Sequence, residues 1–366
     1  MSDDLFLLDP PEWVNPAPLL TSSREQSWRF DLLNRADVQV GVMDGVESCS
    51  LNLNVNAEIR GGGSLTYAGE PIDWPQHRVQ PWLTVKGGGR EMSWPLGVFL
   101  MVSPEKDYGT AGEPVTLQLY DTGQRISGKS STARAWSAPA GAVVTDVVRH
   151  LLGRAGVRSA VTDSTATLRT AMTWPPGTPY KRMVNDLLDS INYFGIYVDA
   201  YGVFRADPYV RPQDRAPAFG FVDDGNSIYS PGFTHSADTF SIPNQVILVS
   251  QVDGEQPPMV ATVEDKDPAS PYSVVSTGLW TPHVEEGVDA ADQATLQALA
   301  ARRLSELQRV TSTYEITHLP VPLTLNDAVT FRRDAHGVSA LTTVQTLELS
   351  MSDDLCRTTL REVAAA

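Results

Sequence analysis

Residues Ser50 to Arg60 read SLNLNVNAEIR, in which Leu51, Leu53, Val55, Ala57 and Ile59 alternate with Asn52, Asn54, Asn56 and Glu58. Successive side chains of an extended chain point to opposite faces, so a period of two predicts a β-strand with one buried and one wet side. The chain is therefore expected to be an antiparallel β protein at its start. Asparagine is a poor strand former. Three of them on one face point to a surface that hydrogen-bonds to water, to another strand or to another subunit.

On the N-terminal side of this stretch, Trp28 to Leu33 and Asp37 to Val42 read as strands, with Asp44-Gly45 as a hairpin turn. On its C-terminal side, Gly61 to Gly63 and Gly87 to Gly89 punctuate the chain, and Leu96 to Val102 and Val115 to Tyr120 supply further apolar strands. That density of short strands predicts a small barrel or sandwich. The period then changes. Val143, Val144, Val147, Val148, Leu151 and Leu152 form a helical stripe between Gly141 and Gly153. A second helix is expected with Thr178 as cap, Pro179 at its first position, Met183, Val184, Leu187, Leu188 and Ile191 inward, and Gly195 as its stop. Ile196 to Val198 and Val203 to Arg205 read as a hairpin about Asp199 to Gly202.

Strands return at Gln245 to Val252, Met259 to Glu264, Ser312 to His318, Ala328 to Arg332 and Leu341 to Ser350. One helix interrupts them, capped by Asp289 and striped by Leu296, Leu299, Ala300, Leu304 and Leu307. The expected fold is mainly β with an α/β insert: two small antiparallel β-barrel domains flanking an α/β module. The expected boundaries are an acidic, Pro-rich arm over 1–23, a first barrel over 24–131, the α/β module over 132–238, and a second barrel over 239–366 whose helix covers about 289–309. The two barrel-like halves share an outline and no residue-level repeat.

The chain has 366 residues and a formal net charge of −16. Phosphate backbones meet net repulsion from such a chain, which argues against general nucleic-acid binding, while a surface past which DNA slides tolerates that sign. Cys49 and Cys356 form neither a disulfide framework nor a metal spacing. The N-terminus, MSDDLFLLDPPEWVNPAPLL, has no basic region followed by a long apolar run, so neither a signal peptide nor a membrane span is expected.

Gly123 to Ser130 satisfies the phosphate-loop expression G-x-x-x-x-G-K-[ST]. A working loop needs a helix beginning at the lysine, so that amides at its N-terminus hold the phosphates. Here SSTARAWSAPAG follows Lys129, and the neighbouring strands read as an antiparallel meander, so the stretch is expected to be a polar loop leaving the barrel. The six histidines form no close ligand pair, and there is no G-x-S-x-G elbow. No catalytic residue, metal or cofactor is expected. Trp74, Trp82 and Trp94 lie among prolines and glycines, as barrel core and subunit contacts or, alternatively, as a sugar-binding groove. Together with Asn52, Asn54 and Asn56 they are the candidate interface residues.

The run ESCSLNLNVNAEIRGGGSLTY over 47–67, the strand ending LQLYD at 121 and PAG at 139–141 resemble the N-terminal half of minor tail proteins of long-tailed phages of actinobacteria. LLDSINYFGIYVDAYGVFRADPY over 187–209 and VDAADQATLQALAARRLSELQRVTSTYEITHLPVPLTLNDAVTF over 288–331 are similar to the baseplate or tail hub family. The resemblance implies a homotrimer, each chain giving two barrels to a quasi-sixfold collar at the distal end of the tail tube. Implied partners are the distal tail protein, the tape-measure protein and other minor tail proteins, with DNA passing through the channel without specific binding. The location implied is the tail tip of a virion assembled in the host cytoplasm. Many family members carry a long C-terminal extension, whereas this chain stops soon after the second barrel, which implies that lysis and host recognition belong to other subunits. The rival readings are a carbohydrate-binding receptor protein of the same tail and, behind it, a cell-wall hydrolase.

Overall fold

The computed structural model describes residues 23–109, 113–128, 130–168, 170–224, 227–237, 242–250, 258–288, 293–308 and 312–363. The N-terminal arm, Lys129 and the expected cap Asp289 lie outside the described residues. The chain divides into two compact units: one runs through Phe233 and takes in Glu315–Leu360, the other is Thr234–Tyr314 with the C-terminal end from Arg361.

The first unit begins with β1 (Arg24–Leu33), β2 (Gln39–Val42), β3 (Val46–Asn54), β4 (Gly61–Tyr67), β5 (Arg78–Gly87), β6 (Arg90–Pro95), β7 (Phe99–Lys106) and β8 (Val115–Asp121). Gly45, with φ +102°, makes the turn expected at Asp44-Gly45. Alternation then sorts the side chains. Cys49 and Leu51 of β3, Leu65 and Tyr67 of β4, Leu117 and Leu119 of β8 and Phe99 and Met101 of β7 form one core, with Leu53 and Trp74 packed against it.

Three expectations change here. The strand predicted to run to Arg60 ends at Asn54, because the Asn54 side chain accepts from the Asn56 amide at 2.9 Å and folds the chain into a turn. The glycines at 61–63 are the start of strand β4 rather than punctuation. The third change concerns closure. Among the described residues no sheet closes into a barrel: β1–β8 belong to one open 14-stranded sheet, completed by strands from the far end of the sequence. A strand whose free edge is taken by a distant segment has no edge left to pair back on its own neighbours.

Between these β regions lie β9 (Trp136–Ala138), helix α1 (Val144–Arg154), β10 (Ser159–Val161), β11 (Met172–Trp174), helix α2 (Tyr180–Asp189), β12 (Tyr197–Val198) and β13 (Phe204–Ala206). Both helices turn their expected stripes inward: Val144, Val148, Leu151 and Leu152 meet Met183, Val184, Leu187 and Leu188. The hairpin forms as read, with the Asp199 amide donating to the Val203 carbonyl at 3.0 Å. Thr178 does not cap α2. Its hydroxyl donates to the Pro175 carbonyl at 2.9 Å, and Pro179 takes the cap position. The helix ends at Asp189, before Gly195.

Next come β14 (Phe219–Val222), β15 (Tyr229–Ala237), β16 (Gln245–Ser250), β17 (Val260–Glu264), the short helix α3 (Val274–Thr277), β18 (Pro282–Val288) and helix α4 (Gln293–Leu307). In the second unit β17, β16 and β18 form a three-stranded sheet in that order. Val246, Leu248 and Ala261 pack on Leu296, Ala300 and Leu304 of α4, the stripe read from the sequence. Asn244 pins the loops beside that sheet: its amide donates to the Leu279 carbonyl at 2.8 Å while its oxygen accepts from the Thr281 amide at 2.9 Å.

The chain closes with β19 (Ser312–His318), β20 (Ala328–Arg333), β21 (Val338–Ser350) and β22 (Asp353–Glu362). The path of the large sheet is β15-β19-β22-β21-β3-β4-β8-β7-β5-β1-β2, with β20 beside β21, β14 beside β20 and β6 beside β5. No helix among the described residues is long and apolar enough to cross a membrane.

Both cysteines are free, each 2% exposed, and burial pushes both thiols up to about 12. Only the thiolate reacts quickly. In folded protein neither is therefore expected to react with an aromatic disulfide reagent at pH 8 within minutes, whereas both of the chain's two thiols are expected to titrate in denaturant. A measurable native-state reaction would contradict this packing.

Candidate interaction surface

The wet side of the large sheet is its most distinctive surface. Register aligns Ser50 of β3 with Ser64 of β4 and Ser350 of β21, and Asn52 with Gly62 and Glu348. The rows continue into β8, where Ser64 faces Gln118, Thr66 faces Thr116 and Gly62 faces Tyr120. Cross-strand bonds knit it, Ser50 to Ser64 at 2.9 Å and Asn52 to Glu348 at 3.4 Å, and along β8 the Tyr120 hydroxyl donates to Gln118 at 3.4 Å. Small neutral polar groups dominate on β21, β3, β4 and β8, where Glu348 is the carboxylate in the paired rows, and Glu105 of β7 faces Thr116 beyond them. On a chain of net charge −16, these rows carry little charge.

Of the predicted interface residues, Asn52 is on this face and exposed, beside Glu348. Asn54 is half-buried at the end of β3, and Asn56 is exposed in the turn beyond it. The tryptophans do not join them. Trp74 stands edge-on to Tyr67, ring centroids 5.6 Å apart, against the core. Trp82 lies under the Arg29 guanidinium at 5.0 Å and edge-on to Tyr201 at 6.3 Å. Trp94 is 5% exposed. Because Trp82 pairs with Pro95, and Trp94 with Leu83, the two rings leave opposite faces of adjacent strands and line no common groove.

The phosphate-loop match is a different structure. Thr122–Arg125 form a single 3₁₀ turn capped by Asp121, whose Oδ1 accepts from the Gly123 amide at 2.6 Å. Ile126 belongs to the core of the helical module, and Ser127 bonds back to the Gly123 carbonyl at 3.1 Å. The next helix begins at Val144, so no helix N-terminus stands where a phosphate would need one. Both sheet neighbours of β8 are antiparallel.

A charged cleft opens beside this turn, about 320 Å³ including its mouth, lined among others by Glu58, Arg60, Asp121, Lys181 and Tyr197. Asp121 also accepts from the Gly61 amide, yet burial raises its carboxyl above the usual carboxylate range. Burial likewise lowers Arg60 and Lys181. Lys181 donates to the Glu58 carbonyl, and the Arg60 guanidinium sits 6.0 Å from the Tyr197 ring. This cluster ties the start of β4 to α2 and β12. It holds no nucleophile paired with a base. Among the described residues no group of His, Cys, Asp and Glu could hold a metal ion.

Sequence reading missed a second kind of surface. Val38, Val40 and Val42 at β2, and Val275, Leu279, Trp280 and Val284 in the second unit, are exposed apolar side chains. Alternation at Val38, Val40 and Val42 is legible in the sequence, but it reads as a half-buried strand, since nothing local says that β2 is an edge.

This architecture is the fold of phage tail proteins. The chain is similar over 92% of its length to 97% of the tail protein from Neisseria meningitidis MC58, with a TM-score of 0.62 at 13% identity. It matches the 43 kDa tail protein of prophage MuSo2 from Shewanella oneidensis over 92% of this chain and 98% of that one, with a TM-score of 0.60 at 13% identity. A chain of the Francisella PdpA–VgrG complex is similar too, with a TM-score of 0.56 at 8% identity, over 94% of this chain and 59% of that one. No family model matches the chain, and no curated protein matches it in sequence.

Proposed function

We propose that the chain is a structural subunit of a bacteriophage tail tip: a homotrimeric, quasi-sixfold hub that closes the distal end of the tail tube. It joins the tube to tip proteins and bounds the DNA channel without chemistry of its own. The observation that carries this reading is the near end-to-end likeness to two phage tail proteins. The rows around Asn52, which carry little charge, are the proposed contact surface, and the net charge of −16 suits a channel wall that must not hold DNA. The distal tail and tape-measure proteins are the partners such a hub meets, in a virion assembled in the host cytoplasm. The actinobacterial phage origin rests on the sequence pieces quoted above.

Leu53→Asp is a poor test of assembly, since Leu53 packs against the core of its own chain. Asn52→Arg is a better one. Asn52 is exposed on the sheet face, so the substitution is expected to leave stability within about 0.5 kcal/mol. Sedimentation and electron microscopy of the unaltered protein are expected to give a ring of three 39.8 kDa chains, and the variant single chains with an unchanged far-ultraviolet circular dichroism spectrum. An unaltered protein that remains a single chain at micromolar concentration would overturn the hub reading. A variant that still forms the ring would remove this face from the contact.

A further inference from the structure

The cleft beside the Thr122–Arg125 turn holds more hydrogen-bond donors than its own acceptors use. Asp121 is the buried carboxylate of its wall, and both of its oxygens are taken by backbone amides: Oδ2 by Gly61 and Oδ1 by Gly123, the latter at 2.6 Å. Arg60 and Lys181 act on that carboxylate through space, without a hydrogen bond to it.

Arg60 lacks an acceptor. Among the described residues its guanidinium makes no hydrogen bond and no ion pair, and its side-chain contact is with the Tyr197 ring, 6.0 Å from the centroid. Tyr197 is committed elsewhere, its hydroxyl donating to Asp207 Oδ2 at 2.8 Å. A guanidinium presents its N–H groups as a planar fork, which a carboxylate takes two at a time. Lys181 has three N–H groups to give and one acceptor, the Glu58 carbonyl. Both cations are drawn partly out of water, which lowers both pKa values. Cations in that position gain more from an incoming anion than fully hydrated ones do.

The surroundings select the kind of anion. Two cations stand against one buried carboxylate, an excess of one positive charge, and Glu58, the other carboxylate of the lining, is exposed. A phosphate site would need free backbone amides. Those nearby are used: Gly61 and Gly123 on Asp121, and Tyr180 and Lys181 at the start of α2 on the Ser130 and Ile126 carbonyls at 3.0 and 2.9 Å. One planar fork and one ammonium remain, and they suit a single carboxylate.

We infer that this cleft is a binding site for one carboxylate group, held by the Arg60 guanidinium and the Lys181 ammonium and carried either by a small acid or by a side chain of a second copy. The site stands apart from the hub reading.

Acetate is the probe. Saturation-transfer nuclear magnetic resonance on the full chain at neutral pH, with ionic strength held constant by chloride, is expected to show transfer to the acetate methyl group. That signal is expected to fall about tenfold or more in Arg60→Met and in Lys181→Met, as the loss of a charge-assisted hydrogen bond implies. Arg182→Met, at an exposed arginine in the same helix turn, is expected to keep it. Far-ultraviolet circular dichroism checks that each variant folds, and Lys181→Met carries the test if Arg60→Met does not fold. No transfer in the unaltered chain, or equal transfer in both folded variants, would overturn the site. Displacement of acetate by inorganic phosphate at a lower concentration than by formate would overturn the assignment to carboxylates. Sedimentation separates the sources: self-association weakened by Arg60→Met and by acetate places the carboxylate on a second copy, and association unchanged by either places it on a small acid. A single chain throughout would overturn the hub reading and leave the cleft to the acetate result.

Discussion

Gly63→Ala is expected to destabilise the first unit by about 3 kcal/mol, the upper end of what forced overpacking costs, read as a lower urea midpoint. A Cβ at position 63 would stand 2.0 Å from the Ser50 carbonyl oxygen and 3.1 Å from Leu51 Cα. Both atoms are backbone of β3, and no side-chain rotation relieves the overlap. Gly63 lies opposite Leu51 in the β3–β4 ladder, so the strands must separate where the sheet's core is seated. Gly62→Ala is the control: its nearest neighbour is the Leu119 carbonyl at 3.3 Å, and a few tenths of an ångström suffice. Equal losses for both substitutions would show that the close approach of β3 at Gly63 is not the cause.

Acidification supplies the second large effect, through His318. The imidazole is 1% exposed, 4.6 Å from the Phe221 ring centroid, and burial lowers its pKa from 6.5 to about 4. Desolvation disfavours the charged ring, and the neighbours are compatible with the neutral one. Nδ1 lies 2.8 Å from the Leu319 carbonyl, which can only accept, so Nδ1 carries the proton and Nε2 accepts from the Thr358 hydroxyl at 2.7 Å. Between pH 6.5 and 4 the unfolded chain binds the proton that the folded chain refuses, so this stability is complete above the upper value and is lost as pH falls through the lower. A pKa difference of that size amounts to about 3 kcal/mol. The expected observation is a melting temperature that falls across this range more steeply than in His318→Gln, which has no imidazole to protonate. Parallel curves for the two proteins would show that His318 is not the group responsible.

Much of the local architecture is legible in the sequence because it rests on short-range periodicity. The stripes of α1, α2 and α4 face inward as read, and the strands at Ser312–His318, Ala328–Arg333 and Val115–Asp121 lie within a residue of their expected bounds. Errors gather where a residue's role depends on a partner outside its own stretch. Gly61 to Gly63 read as a turn because glycine usually marks one, yet Gly63 admits the backbone of β3, Gly62 that of β8, and Gly61 the side chains of Asp121 and Leu53. Asn54 fits the strand alternation but uses its side chain to end the strand. Trp82 and Trp94 are close in sequence and separated by the sheet itself.

Which side of each strand and helix faces inward is written in the chain itself, since it follows from the covalent period of the backbone and the hydrophobicity of each residue. Which strands are neighbours emerges only in the folded sheet. Asn52 meets Glu348, 296 residues away, because β21 fills the edge of β3 that a closed barrel would have used. Alternation is a property of one strand, whereas an edge can be filled by any strand of matching register, and the chain resolves that choice only when all its apolar faces are buried at once.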